Sequence, residues 1–529
     1  MQNFRKRLLA LTAATVAAAL TLTGCGNGGG GGSTDIDPAD NSAIVIIDSE
    51  PETLNPGLTT TTTVLDIQSK IFEGLVWVDK DGLPQPQLAS EWTVSADELT
   101  YTFKLRSGVK WHDGEAFTAE DVLWSFEEGL KENARAQGVI SKIESLTAPD
   151  DSTVVFKLQS PYAPFLYQMK VFDTPILPKH VYGEGDLATN EANRAPVGTG
   201  PFKFSEWVTG QKVTVVKNDD YWVAGEPKLN EVIFQIIPES QNRINAILTG
   251  EADILPAMFL PQANVDQLEG KDGININKQT AIPSLYFMFM NTENEILQNK
   301  DVRHAIAQAV DRERIVEQAM GGLAIPGYGA WGSGFDWAMN KNSSYDKLYP
   351  FDTAAAKAAI DAAGLAGSTL NLTYDANRVQ WQATGQIIKD NLAQIGINVV
   401  LEPLERSVWI DKVFTQRNFD LALQSFTSSG DPAIGYHRMY RTNTSTSPNV
   451  NPTGFSDATV DALMVTAGGS SDRDARSKAY QEAQAIIDEA LPILVLFDEQ
   501  QADINLTRMA GMYAGQNPSD QFQKVYVTK

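Results

Sequence analysis

The chain has 529 residues, a formal net charge of −24 and a hydrophobic fraction of 43%, which is ordinary for a globular protein. A chain of this length is expected to form two or three domains. The excess of acidic residues argues against binding to nucleic acid and against electrostatic adhesion to anionic lipid, because both depend on Lys and Arg.

The first 24 residues have the pattern of a lipoprotein signal peptide. Basic residues at positions 5–7 precede an uncharged run over 8–22, which is short for a membrane-spanning helix. The run ends in Leu-Thr-Gly-Cys at 22–25, a lipobox in which the thiol of Cys25 accepts the lipid. Cys25 is the only cysteine, so an internal disulfide is excluded. These features predict export and anchoring at the extracytoplasmic face of the cell membrane through lipid alone.

A flexible tether is predicted after the lipobox, over residues 25–43. It contains a run of glycines at 28–32 and is otherwise rich in Ser, Thr, Asp and Asn. Such a segment cannot bury apolar surface and is expected to reach about 25 Å. The globular part therefore begins near Ser42.

Strands and helices alternate along the rest of the chain. Residues 99–105, 153–158 and 232–236 alternate between apolar and polar side chains, which predicts half-buried strands. Thr118 with Asp121 resembles a capping box and predicts the start of a helix.

The second half repeats the same alternation. Apolar spacing predicts helices over 302–310, 352–363, 380–395 and 475–487, and strands over 397–401 and 493–497. Gly364 and Gly396 are expected to end two of these helices. Helices that lead directly into strands predict an α/β fold.

Motifs of catalysis and metal binding are missing from the sequence. It contains four histidines, far apart along the chain, and no HExxH, CxxC, GxSxG or P-loop lysine. We therefore predict no catalytic residue, no metal and no cofactor, and a function other than that of an enzyme.

Several segments resemble the family 5 extracellular solute-binding proteins of ABC importers, which include dipeptide, oligopeptide and nickel binders. The most specific is LRSGVKWHDGE at 105–115, in which His112 is expected to lie in a turn. The others are PETLNP at 51–56, IFEGL at 71–75, FTAEDV at 117–122, GTGPF at 198–202, TGEAD at 249–253, DVR at 301–303 and AVDR at 309–312.

The resemblance implies a two-lobed, type II periplasmic-binding-protein-like fold that closes on a ligand by a hinge. It implies lobe I at 44–89, 197–290 and 490–529, an extra domain of lobe I at 90–196, and lobe II at 291–489. The expected partners are the permease and ATPase of an importer, with the protein itself a monomer. A tethered sensory receptor is the alternative role for the same fold.

The resemblance also implies a set of ligand-binding residues. Arg378 is expected to pair with a ligand carboxylate, and four aromatic rings are expected to offer flat faces to an organic ligand. The full set is Glu50, Asn55, Arg378, Trp381, Trp409, Phe426, Ser428, Ser429, Asp431 and Tyr436.

One departure from the family bears on the ligand. Peptide-binding relatives place an aspartate after the strand that reads here 420–426, where it pairs with the peptide ammonium, but this chain has Ser428 and Ser429. Either Asp431 takes the role, as a buried carboxylate without a cation of its own, or the ligand has no amine there. Nickel is disfavoured because Ala433 stands where nickel binders of this family carry histidine. A short peptide is predicted, with an oligosaccharide or an opine-like compound as alternatives.

Overall fold

The computed structural model describes residues 41–260, 262–428, 430–445, 449–513, 515 and 521–528. Cys25, most of the predicted tether and Ser429 lie outside the described residues. None of the helices in the described ranges is both long enough and apolar enough to cross a membrane.

The described residues form strands in four sheets. The strands are β1 (Ser42–Ile47), β2 (Val76–Val78), β3 (Pro84–Pro86), β4 (Ala89–Val94), β5 (Thr100–Leu105), β6 (Ile143–Asp150), β7 (Thr153–Leu158), β8 (Phe202–Val208), β9 (Lys212–Lys217), β10 (Glu231–Ile236), β11 (Ile254–Leu255), β12 (Ile274–Met290), β13 (Ala324–Pro326), β14 (Thr369–Asp375), β15 (Asn398–Leu404), β16 (Leu421–Thr427), β17 (Ile493–Leu506), β18 (Met509–Ala510) and β19 (Tyr526–Val527).

Helices pack around these sheets. The α-helices are α1 (Thr62–Ile71), α2 (Ala119–Trp124), α3 (Ala134–Ile140), α4 (Lys179–Tyr182), α5 (Ser240–Thr249), α6 (Lys300–Ala309), α7 (Arg312–Met320), α8 (Tyr345–Leu348), α9 (Thr353–Ala362), α10 (Val379–Gln394), α11 (Arg406–Ile410), α12 (Pro432–Gly435), α13 (His437–Tyr440), α14 (Ala458–Gly469) and α15 (Arg473–Ala490).

The strands and helices that the sequence predicted lie at the correct places. Strands β5, β7, β10 and β15 and helices α6, α9, α10 and α15 follow the predicted segments. The capping box is present, with the Thr118 N–H donating to the Asp121 carboxylate at 2.9 Å. Gly364 and Gly396 adopt positive φ angles directly after α9 and α10, a conformation that glycine adopts at low cost.

The largest sheet is mixed and runs through both lobes. Its order is β15-β14-β16-β12-β17-β11-β1-β10-β9-β8, with β13 also paired to β17. β14 is parallel to β15 and β16, and β1 is parallel to β10 and β11, whereas β12 and β17 are antiparallel to each other.

β12 and β17 connect the two halves of this sheet. Residues 274–279 pair with 501–506, the register then shifts, and residues 284–289 pair with 493–499. The register shift interrupts the pairing between the two strands that connect the halves of the sheet.

The described residues form three hydrophobic cores. The first contains buried side chains between Leu285 and Phe497, and the second is built from segments between Ala43 and Val527, including side chains within 130–182 and Leu323. The third core lies mostly around the antiparallel sheet β4-β5-β7-β6 of the extra domain.

Candidate ligand-binding cleft

A cavity of about 310 Å3 lies where the extra domain and the turn between β2 and β3 meet lobe II. We call it the interlobe cavity. The residues that line it include Tyr101, Tyr167, Trp337, Gly430, Asp431 and Arg476. Both sides of the predicted cleft contribute to it, which is the arrangement that a closing binding protein requires.

Asp431 forms a buried ion pair inside lobe II. Nη2 of Arg476 contacts both carboxylate oxygens at 2.7 Å, and both side chains are almost fully buried. Burial alone would lower the pKa of Arg476, but the adjacent carboxylate outweighs this effect and raises it. The prediction that Asp431 has no cation of its own is therefore wrong.

Ser428 does not replace the aspartate of the peptide-binding relatives. Its side chain is fully buried, and its hydroxyl accepts a hydrogen bond from the Gly430 N–H at 3.1 Å. Neither Ser428 nor Asp431 thus offers an unpaired carboxylate to a ligand ammonium. Ser429 lies outside the described residues.

Arg378 and Trp381 lie together at the start of α10. Nη1 of Arg378, a half-buried side chain, donates to the Ser425 hydroxyl at 3.1 Å. Trp381 is buried against Tyr286, with 4.9 Å between ring centroids, and Tyr286 stacks on Phe497 at 4.6 Å. This group brings one cation next to a wall of aromatic rings.

Glu499 is the carboxylate of the same region. Its Oε2 lies 3.5 Å from the Tyr286 hydroxyl. Burial raises the pKa of Glu499, while Tyr286 and the charge of Arg378 act in the opposite direction. Within the described residues, no carboxylate lies within 4.0 Å of the Arg378 guanidinium.

The other predicted aromatic residues are core residues. Trp409 and Tyr436 expose no surface, and Trp409 packs against Phe414 with 5.6 Å between ring centroids. Phe426 is 7% exposed and is covered by the Arg438 guanidinium at 4.2 Å. The prediction of flat faces open to a ligand is therefore wrong for Trp409 and Tyr436, and likewise for Trp381, which is 1% exposed.

The two residues of the early loop have structural partners. Glu50 accepts hydrogen bonds from the Trp207 indole at 2.6 Å and from the Gly210 N–H at 2.5 Å. Asn55 is fully buried and donates to Asn193 at 2.8 Å. These contacts hold the early loop against Trp207 and Asn193.

The histidines do not form a metal site in the described part of the chain, where no group of three potential ligands comes together. His112 is held between Gly198 and Gly200, as expected for a turn histidine. His437 contacts the Tyr480 hydroxyl at 2.8 Å. Burial, and then the nearby charge of Arg476, lower the pKa of His437 to about 3.

His437 is expected to make the protein less stable in acid. The unfolded chain binds a proton at this residue below about pH 6.5, whereas the folded chain does not until about pH 3. Between pH 7.5 and pH 4.5 the wild type should lose about 2 to 3 kcal/mol through His437. Denaturant unfolding of His437→Gln should lack this loss. His180→Gln, at an exposed histidine, is the control, and an equal pH dependence in wild type and His437→Gln would contradict the assignment.

Sequence reasoning missed several residues of the interlobe cavity. Arg476 lies 45 residues from Asp431, and no local motif marks the pair. Tyr101 and Tyr167 belong to the extra domain, where their spacing indicates only core positions.

Two lobes joined by two long strands, with an extra domain on the first, define the class of type II periplasmic binding proteins. The fold agrees with the structure of HbpA2 from Haemophilus parasuis, with a TM-score of 0.82 at 24% identity over 92% of this chain and 100% of that one. The prediction of the fold class is confirmed.

The model of the bacterial extracellular solute-binding proteins, family 5 (middle), matches residues 84–448. The chain therefore belongs to this family, the peptide- and nickel-binding solute-binding proteins of ABC importers.

Named relatives cover most of the chain. The probable D,D-dipeptide-binding periplasmic protein DdpA of Escherichia coli is 28% identical over 85% of this chain and 87% of its own. The oligopeptide-binding protein AppA of Bacillus subtilis is 27% identical over 85% and 84%. DppA from Helicobacter pylori, in complex with the peptide STSA, has a TM-score of 0.68 at 26% identity over 92% and 98%.

Proposed function

We propose that this protein captures a short peptide between its lobes and delivers it to the permease of an ABC importer, as a lipid-anchored monomer without catalytic activity. The observation that carries the proposal is Arg378, a half-buried cation beside aromatic rings and without a carboxylate within 4.0 Å in the described residues. A peptide carboxylate suits it, because guanidinium and carboxylate pair bidentately. The names of the relatives support a peptide as ligand.

Calorimetry with trialanine and its C-terminal amide tests the proposed ligand. The amide is expected to bind about 2 to 5 kcal/mol more weakly, because it leaves the Arg378 guanidinium desolvated and unpaired. Arg378→Gln should remove the difference between the two peptides. Arg406→Gln, at a partly exposed arginine that lies 3.6 Å from Asp375, is the control. Equal affinity of the wild type for acid and amide would contradict this role of Arg378.

An opine is the second candidate ligand. AgaA of Agrobacterium tumefaciens, solved in complex with agropinic acid, is 25% identical with a TM-score of 0.67 over 92% of this chain and 99% of that one. Agropinic acid also carries a carboxylate, so it competes for the same Arg378. If the protein binds agropinic acid but not trialanine, an opine is favoured over a peptide as the ligand.

Lipid anchoring is tested with Cys25→Ser. The variant should leave the membrane fraction, because only the cysteine thiol can form the thioether to the lipid, and the described helices cannot span a bilayer. Ser33→Ala, in the tether, should stay in the membrane. Cys25→Ser that still sediments with membranes after a high-salt wash would contradict the proposal.

A further inference from the structure

A second cavity, of about 320 Å3, lies in lobe II and shares none of its described lining residues with the interlobe cavity. We call it the Asp498 pocket. Its walls include Leu285, Tyr328, Trp331, Met339 and Val495, and Asp498 lies among them in the first half of β17.

Asp498 is only 3% exposed. One of its carboxylate oxygens accepts a hydrogen bond from the Ser333 N–H. The other, Oδ1, has no hydrogen-bond partner in the part of the chain that the structure describes, although the Ser333 hydroxyl lies near enough to the carboxylate to lower its pKa. A buried carboxylate oxygen without a donor is costly, and a cation or a strong donor removes that cost.

The walls of the pocket are apolar close to this carboxylate. Leu285, Val495 and Trp331 are each 1% exposed. The charged groups lie at the solvent side, where Lys341 and Asp336 form an exposed ion pair at 2.8 Å. None of the described lysine or arginine side chains pairs with Asp498. The pocket thus has apolar walls around a carboxylate, Asp498, that has no ion-pair partner among the described residues.

We propose that the Asp498 pocket binds the ammonium group of an alkylamine, with the carbon chain along its apolar walls. The chemistry allows two sources, a lysine side chain of a bound peptide or a free aliphatic amine. Binding of a lysine side chain rests on the proposed peptide function, whereas binding of a free amine does not.

The pocket should bind amines more tightly as the pH rises from 5 to 7. Burial raises the pKa of Asp498 to about 6, so the carboxylate becomes ionised over this range, and the affinity for an ammonium group should rise about tenfold. Tyr436 is close to Asp498 and stays neutral, because burial raises its pKa well above the ordinary value. The other titratable groups of the pocket are partly or fully exposed, and they are Tyr328, Asp336, Lys341, Asp346 and Lys347.

Calorimetry on the full protein tests this assignment with three probes: n-butylamine, Ala-Lys-Ala and the isosteric peptide Ala-norleucine-Ala. At pH 7 we expect the wild type to bind n-butylamine, or to bind Ala-Lys-Ala at least tenfold more tightly than Ala-norleucine-Ala. Asp498→Asn should lose whichever of these two effects the wild type shows. Asp361→Asn, at an exposed carboxylate outside the pocket that lies 2.7 Å from Lys357, is the matched control and should behave as wild type. Met339→Trp, which narrows the pocket and keeps Asp498, should give the same loss if Asp498→Asn fails to fold.

The outcomes separate the two sources. A lysine preference without n-butylamine binding identifies the peptide side chain, and n-butylamine binding without a lysine preference identifies a free amine. Neither effect, or effects that survive both Asp498→Asn and Met339→Trp, would overturn the proposal. Trialanine binding that depends on Arg378 would stand in that case, so failure of this proposal is distinct from failure of the peptide function.

Discussion

Replacing Arg476 with methionine should lower the free energy of unfolding by about 3 to 5 kcal/mol, because it leaves the Asp431 carboxylate buried without its cation. The pair is almost fully buried, and both carboxylate oxygens lie 2.7 Å from the guanidinium. The same change should remove the hydrogen bond from Nε of Arg476 to the Ala467 carbonyl at 2.7 Å. Urea unfolding of the unliganded protein measures the loss.

A matched variant at an exposed ion pair shows how much of the lost stability is due to the burial of the charge. Arg314 lies 3.7 Å from Asp390 in a partly exposed pair, and Arg314→Met should cost less than about 1 kcal/mol. The double variant Arg476→Met/Asp431→Leu should recover much of the stability, because it removes the uncompensated charge. A loss below about 1 kcal/mol in Arg476→Met would show that Asp431 finds another partner or protonates at little cost.

The ion pair also changes what Asp431→Asn should do. The sequence left open whether Asp431 pairs with a ligand ammonium; if it did, Asp431→Asn would weaken peptide binding and barely change the stability of the unliganded protein. In the structure the carboxylate belongs to Arg476 and caps α12 through the Ala433 N–H at 2.9 Å. Asp431→Asn is therefore expected to destabilise the unliganded protein.

Local elements were predictable because short-range patterns determine them. The alternation over 99–105 and the apolar stripe over 302–310 became β5 and α6. β17 was predicted only over 493–497, yet it continues to Leu506. Its second half is polar in part, and its strand conformation depends on pairing with β12, more than 200 residues earlier in the chain. A short stretch of sequence does not show pairing with a strand so far away in the chain.

The contacts of the predicted site residues could not be read from the sequence. Arg378 and Trp381 do lie together beside the strands of lobe II, as the family resemblance implied. Trp409 and Tyr436 were assigned to the ligand because aromatic rings serve both cores and binding sites, and composition cannot distinguish the two uses. In the structure both rings are fully buried by elements that are distant in sequence, so they are core residues.

Gly430→Ala should weaken binding of trialanine about 5- to 150-fold, the equivalent of roughly 1 to 3 kcal/mol of overpacking. Gly430 lies in lobe II with a φ of +93°, and a methyl group there would overlap the Tyr167 hydroxyl and ring of the extra domain. That overlap exists only while the extra domain and lobe II are together. Its cost should therefore fall on the closed arrangement and appear as lost affinity.

Gly114→Ala is the control for backbone strain. Gly114 has a φ of +99°, and an added methyl group would meet no atom within 4 Å, so this variant carries the strain without the overlap. It should bind trialanine as the wild type does. In small-angle scattering, Gly430→Ala with saturating trialanine should keep a larger radius of gyration than the liganded wild type, and adding Tyr167→Ala should restore closure. Wild-type affinity and closure in Gly430→Ala would show that the Tyr167 ring can move aside, and that this contact does not limit how the lobes come together.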